Sequence, residues 1–302
     1  GSQSVGMGKE LCEQFGAAKQ VFAEADEALG FSLSQLCFAG PEVDLQLTEN
    51  TQPAILTMSI AALRVLEAET DLRPAYVAGH SLGEYSALVE VGALAFRDAV
   101  KVVRERGRLM QQAVPAGRGA MAVILGLEMA AVINLCADAS ENEIVAPANY
   151  NGGGQIVIAG ATNAVVRAMA LAKERGAKRA LDLPVSAPFH SSLLKPAADR
   201  LRVRMQQVTF NIPRVAVVNN VDVAVVNDPE QIKDALARQA CNPVRWVETV
   251  RAFSGQGVTH VVECGPGKVL AGTVKRIEPV MTVGSVFDPA SLAAACALGG
   301  VS

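Results

Sequence analysis

The sequence predicts an α/β protein, a parallel-sheet core interrupted by a smaller inserted α/β unit. Three observations carry this expectation. Short apolar runs alternate with amphipathic stretches of helical spacing, one such run ends in a serine between two glycines, and the middle of the chain switches to closely spaced strands and two helices. With 302 residues, 50% of them hydrophobic and 19% charged, the chain can bury one large core or a core with an appended domain.

Taken in order, apolar residues recur at helical spacing from Gln52 to Leu66, with Asn50 or Thr51 as cap and Pro53 in the first turn. "PAYVAG" follows as a short buried strand and leads into a helix through Ser86 to Val91. Phe96 to Val114 makes a second amphipathic helix with its charges toward solvent. From Gly119 to Leu183 the strands "GAMAVILG", "EIVAPANY", "GQIVIAG" and "AKRALDL" enclose the helices "EMAAVINLCADA" and "ATNAVVRAMALAKERG". That order, β-α-β-β-α-β, is ferredoxin-like. After Pro184 the core resumes with the loop "PVSAPFHSSLLKP", a helix to about Gln207, the strand "VAVVNN", a helix from Pro229 to Ala240, the strand "VTHVVECGPG" and a helix beginning near Lys268. Residues 1–117 and 185–302 are thus expected to form the core, and 118–184 the insert.

Composition removes several classes of function. Lys+Arg 27 against Asp+Glu 30 gives a net charge of −3, with no basic run and 4% aromatics, so no nucleic-acid partner is expected. Cys12, Cys37, Cys136, Cys241, Cys264 and Cys296 lie too far apart in sequence for the close pairs of metal sites or redox motifs. Reduced thiols in a cytosol-like compartment are the expectation, with no metal. No apolar stretch approaches the length that spans a bilayer and no charged-then-apolar leader opens the chain, so a soluble cytoplasmic protein is expected, without a membrane partner.

Ser81 carries the chemical interest. Ser81 to Glu84 reads as S-x-x-E, a capping box that satisfies free amides at a helix start. Gly79 and Gly83 also make G-x-S-x-G between a strand and a helix, the strained turn that presents a nucleophile in an α/β-hydrolase-like core. On such a turn the Leu82 amide points at the oxyanion formed during acyl transfer. A serine hydroxyl requires a base, and the chain has only three histidines. His80 adjoins Ser81 and diverges from it on a tight turn, and His260 opens a strand. His190 lies in a proline-punctuated loop before a helix and is the candidate base.

Six motifs in one order, "GHSLGEYSALV", "VRERGRLMQ", "NYNGGGQIVIAG", "SAPFHSSLLKPAA", "QACNPVRW" and "ECGPGKVL", resemble those of the malonyl-CoA:acyl carrier protein transacylase family and the acyltransferase domains of fatty acid and polyketide synthases. The resemblance implies that Ser81 carries the acyl group and His190 is its base. It also implies that Arg106, 25 positions after Ser81, forks onto the free malonyl carboxylate. Against that stands a solvated-face reading, since Arg104, Glu105 and Arg108 surround Arg106. Phe189 matches the loop version associated with malonyl rather than methylmalonyl groups. Gln239 matches the position whose backbone carbonyl orients the histidine in place of a triad acid. Lys178 and Arg179 match cleft-edge residues that meet phosphates of CoA or of the carrier's prosthetic arm, and read equally well as an exposed pair on an edge strand.

The implied activity is malonyl transfer from malonyl-CoA to the phosphopantetheine thiol of acyl carrier protein in fatty acid biosynthesis, by a cytoplasmic monomer without a resident cofactor. A serine esterase or thioesterase, or a non-catalytic domain retaining the elbow, are the rival expectations. Family members open with a hydrophobic strand running into F-P-G-Q-G-x-Q, in which the glutamine before the last glycine supplies the second oxyanion amide. This sequence opens at Gly1-Ser2-Gln3, and a trimmed chain is the expectation.

Overall fold

The computed structural model describes residues 2–299 except Ala116 and Ser186. Gly1 and Ser186, both within motifs quoted above, lie outside the described residues. The chain begins with four helices that the apolar spacing left unassigned, α1 (Lys9–Gln14), α2 (Gly16–Leu29), α3 (Leu33–Ala39) and α4 (Glu42–Leu45). Three of them are short, and the buried stripe of the 14-residue α2 is the modest set Ala18, Val21, Phe22 and Ala25.

Helix α5 (Thr48–Glu69) starts ahead of the expected caps, with Leu47 at its N-cap, so Pro53 falls in the second turn. Asn50 and Thr51 serve a different purpose. Asn50 Nδ2 donates to the Asp44 carbonyl at 2.9 Å and Thr51 Oγ1 to the Leu45 carbonyl at 2.5 Å, so both side chains tie down the C-terminal end of α4. Next come β1 (Tyr76–Val77), α6 (Gly83–Glu90) and α7 (Phe96–Ala113). Gly107 on α7 has no room for a Cβ, which would sit 2.6 Å from Glu49 Cα and the Thr48 carbonyl oxygen. Its absence lets α7 close on the start of α5.

The middle of the chain runs β2 (Gly119–Leu125), α8 (Met129–Ser140), β3 (Val145–Tyr150), β4 (Gln155–Ala161), α9 (Thr162–Glu174) and β5 (Arg179–Asp182). These four strands form one antiparallel sheet in the order β3-β4-β2-β5. Side chains alternate across it. Ala122, Ile124, Ile156 and Ile158 pack under α8 and α9, whereas Met121, Val123, Val157 and Ala159 form a second cluster on the other face. Both faces are covered, which explains why β2 reads as an unbroken apolar run. Phe189 packs against the second cluster, so this sheet buttresses the loop carrying His190.

A 3₁₀ turn (Ser192–Leu194) then opens α10 (Lys195–Met205), followed by β6 (Ala216–Val217), α11 (Pro229–Gln239), α12 (Trp246–Gly255), β7 (His260–Cys264), α13 (Val269–Ile277), β8 (Thr282–Val286) and α14 (Pro289–Gly299). Pairs β1-β6 and β7-β8 are both parallel, so the fold is mixed α/β with parallel and antiparallel sheets. The strands expected over "PAYVAG" and "VAVVNN" contract to two residues each, because beyond Val77 a side chain replaces the backbone ladder. Asn220 donates from Nδ2 to the Gly79 carbonyl at 2.7 Å and accepts the Ser81 amide on Oδ1 at 2.7 Å. Among the described residues no helix is long and apolar enough to cross a membrane.

Candidate active site

The turn between β1 and α6 is built for Ser81. Its φ is +54°, a left-handed conformation that a non-glycine residue adopts only under constraint. A Cβ on Gly79 would lie 1.9 Å from the Gly83 carbonyl carbon, so Gly79 alone of the flanking pair is required by close approach; Gly83 faces open space. The capping-box reading fails on geometry. Leu82 is the N-cap of α6 with no side-chain cap bond, the Ser81 amide goes to Asn220, and Ser81 Oγ turns away from the helix.

Ser81 Oγ lies 2.7 Å from His190 Nε2. On the far side of the ring, Nδ1 is 2.9 Å from the Gln239 carbonyl oxygen and 3.2 Å from that of Asn242. Carbonyls only accept, so Nδ1 carries the proton and Nε2 is left to accept from the serine hydroxyl. His190 is 4% exposed and itself has φ +60°. Burial, with the nearby Arg106 charge, pushes its pKa down to about 3, so the imidazole is neutral and able to act as a base at neutral pH. The orienting group is a neutral carbonyl, which fixes the tautomer while lending less negative charge than an aspartate.

Arg106 is 2% exposed, which removes the solvated-face reading. Its Nη1 donates to Gln52 Oε1 at 2.6 Å, and its Nη2 to Gln239 Oε1 at 2.9 Å and to Ser81 Oγ at 3.1 Å. Among the described residues it forms no ion pair. A buried guanidinium without an ion pair, hydrogen-bonded to neutral oxygens and lying 5.5 Å from the Tyr85 ring centroid, is suited to receive an anionic group beside the serine hydroxyl. Spacing could have found it. Ala99, Val103, Arg106 and Met110 recur at four, three and four positions along the buried side of α7, so Arg106 sits on the apolar stripe.

No hydrogen bond takes the Leu82 N–H among the described residues, and it opens α6 next to the nucleophile. The other histidines stand apart. His80 Nε2 meets Asn151 Oδ1 at 3.0 Å with its ring edge-on to Trp246, and His260 is exposed beside Thr259. Lys178 and Arg179 are exposed at the β5 edge, with no hydrogen bond to any residue of the cluster. Sequence reasoning passed over Gln52, Glu84, Asn220 and Asn242. Of these, Glu84 had a visible signal, an acid one turn past the elbow serine, which was absorbed into the capping box. All six cysteines are free, and burial pushes the Cys264 thiol up to about 12.

With this geometry in view, comparison with known proteins gives a consistent picture. The profile of the family described as "Acyl transferase domain" matches residues 1–282. The chain is 50% identical over 298 residues to malonyl CoA-acyl carrier protein transacylase of Escherichia coli strain K12, covering 99% of this chain and 96% of that protein. The Bacillus subtilis protein of the same name is 48% identical over 293 residues, covering 97% and 92%. Among solved structures, the acyl-carrier-protein S-malonyltransferase of Burkholderia pseudomallei 1710b superposes with TM-score 0.96 at 53% identity, covering 98% and 96%. A malonyl-transacylase in complex with a type II polyketide-synthase acyl carrier protein superposes with TM-score 0.97 at 47% identity, covering 99% and 96%.

Proposed function

Since the chain belongs to the acyl transferase domain family, and is an acyltransferase, we propose that it transfers the malonyl group of malonyl-CoA to the phosphopantetheine thiol of acyl carrier protein in fatty acid synthesis. The observation that carries the reading is the contact of one serine hydroxyl with both a neutral histidine at 2.7 Å and an unpaired buried arginine at 3.1 Å.

Ser81 Oγ attacks the thioester carbonyl carbon as His190 Nε2 takes its proton, and the Leu82 N–H donates to the oxyanion. The tetrahedral intermediate collapses with loss of the C–S bond, and the departing CoA sulfur takes the proton back from Nε2. A malonyl-Ser81 ester remains, its free carboxylate on Arg106. The carrier thiol then gives its proton to Nε2 and attacks the ester, and the Ser81 oxygen leaves with that proton. Gln239 holds the imidazole through its backbone carbonyl. The two half-reactions are separated by a covalent intermediate, so the kinetics are ping-pong. A serine esterase shares the elbow and the base but gives a buried, unpaired arginine no task.

The same reading makes Lys178 and Arg179 the residues that meet phosphates of CoA or of the carrier arm, and the protein a cytoplasmic monomer with no resident cofactor. We further read residues 1–117 and 185–302 as an α/β-hydrolase-like core and 118–184 as a ferredoxin-like subdomain. The strand order β3-β4-β2-β5 with α8 and α9 on one face supports the second assignment. Rapid mixing with malonyl-CoA alone tests the function. A burst of one CoA per chain is expected, followed by turnover when holo-acyl carrier protein is added; the absence of a burst overturns it.

A further inference from the structure

Glu84 is 2% exposed, and the reaction above gives it nothing to do. Burying a carboxylate is costly unless other groups hold it, so its contacts indicate what it is there to organise. It joins no salt bridge among the described residues. A single oxygen, Oε2, accepts the Asn220 N–H at 3.0 Å and Gln239 Nε2 at 2.9 Å. Each of these partners holds part of the machinery. Asn220 clamps the elbow from both sides, at the Gly79 carbonyl and at the Ser81 amide. Gln239 donates from Nε2 to the Ser81 carbonyl at 2.9 Å, accepts Arg106 on Oε1 and accepts His190 on its backbone oxygen.

We propose that Glu84 is a positioning residue that locks Asn220 and Gln239 together, so that the Ser81 elbow and the Arg106 guanidinium are held in register for a carboxylate-bearing acyl group. This deepens, and rests on, the malonyl-transfer reading above. The polarity of the Gln239 amide is the central link. Nε2 faces two oxygens, of Glu84 and Ser81, while Oε1 faces the guanidinium; the reversed amide would set oxygen against oxygen and donor against donor. Removing the Glu84 acceptor takes away one of the three contacts that set this preference and strips the Asn220 backbone of its anchor. A helix-capping role would have Glu84 bonded to free amides of α6, yet the backbone amide it accepts belongs to Asn220, just past β6.

The test compares Glu84→Gln, which keeps an acceptor at the same reach, with Glu84→Leu, which keeps the volume and loses the acceptor. For each full-length variant, kcat and KM are measured with malonyl-CoA and with acetyl-CoA, and folding is followed by thermal melting. In Glu84→Leu the ratio of kcat/KM for malonyl over acetyl transfer should fall about tenfold or more, mainly through KM for malonyl-CoA, and Glu84→Gln should restore it to within about threefold. An unchanged ratio in Glu84→Leu, even with both rates lowered, makes Glu84 merely structural and overturns the proposal, as does a Gln variant as impaired as Leu. If Glu84→Leu fails to fold, Glu84→Asp is read instead. Its shorter side chain cannot reach both donors, so a lowered ratio is expected and an unchanged ratio overturns the proposal. Wild-type protein that does not load malonyl groups at all would locate the failure in the functional reading rather than in Glu84.

Discussion

Replacing Arg106 with alanine should change which acyl group the enzyme prefers. In the free protein the guanidinium is bonded to Gln52 Oε1, Gln239 Oε1 and Ser81 Oγ, all neutral, and among the described residues no carboxylate touches it, so an anionic substrate would supply its first direct ion pair. A hydrogen bond to a charged group contributes about 1.5–3 kcal/mol, so a forked pair on a malonyl carboxylate contributes roughly 3–6 kcal/mol. At about 1.4 kcal/mol per factor of ten, kcat/KM for malonyl-CoA should fall roughly 10²- to 10⁴-fold in Arg106→Ala. Acetyl-CoA offers no carboxylate and should be transferred as well as before, or better. The variant also strands the Gln52 and Gln239 oxygens, a cost of about 1–3 kcal/mol each that is offset in part by removing a buried charge. Thermal melting therefore accompanies the kinetics. CoA release in the presence of holo-acyl carrier protein, followed for both thioesters, is the assay. Equal losses for malonyl and acetyl groups would refute the reasoning, because a residue that merely stiffens the site cannot distinguish them.

Three further outcomes follow from the same geometry. His190, pushed down to about 3 by burial and by Arg106, stays neutral in the free enzyme, so kcat/KM for malonyl loading should not fall as pH drops from 7.5 to 5; loss of half the activity near pH 6.5 would contradict it. Burial raises the Glu84 carboxyl from 4.5 to about 7, so between those values the folded chain binds the extra proton and stability falls as pH rises, by up to the order of 3 kcal/mol. Urea melts of wild type and Glu84→Gln at pH 5 and pH 8 should differ in this direction, with the variant lacking that share of the slope. Gly79→Ala should abolish labelling of Ser81 by a fluorophosphonate, since its Cβ would sit 1.9 Å from the Gly83 backbone; a variant labelled at the wild-type rate would show that the elbow tolerates the methyl.

The elbow was legible because its constraint is local, a serine between glycines at a strand-to-helix junction. His190 was legible by elimination among three histidines, and its loop position agreed. Arg106 was ambiguous by composition, because Arg104, Glu105 and Arg108 suggest a wet face. Helical periodicity resolves it, since one residue of that charged run lies on the stripe of Ala99, Val103 and Met110. What could not be read were contacts over long sequence separations. Asn220 is 139 positions from the Ser81 amide it accepts, and nothing in "VAVVNN" distinguishes a strand end from a side-chain clamp. Glu84 was hidden by a plausible local motif whose two bonds are both made elsewhere. In the fold, the inserted strands were legible as short, closely spaced apolar runs alternating with two helical stretches. The opening helices were not, because their apolar stripes are short and alanine-rich, and α12 and β8 lay beyond the motifs.

The central claim is that the Ser81 hydroxyl, activated by His190 and paired in space with Arg106, carries the malonyl group between two thiols. The most direct measurement is mass spectrometry of peptides from enzyme quenched after mixing with malonyl-CoA and no acceptor. One malonyl group per chain on the peptide containing Ser81, lost on adding holo-acyl carrier protein and absent in His190→Ala, is the predicted result. A malonyl group on any other residue, or its persistence when the acceptor is added, would contradict the account.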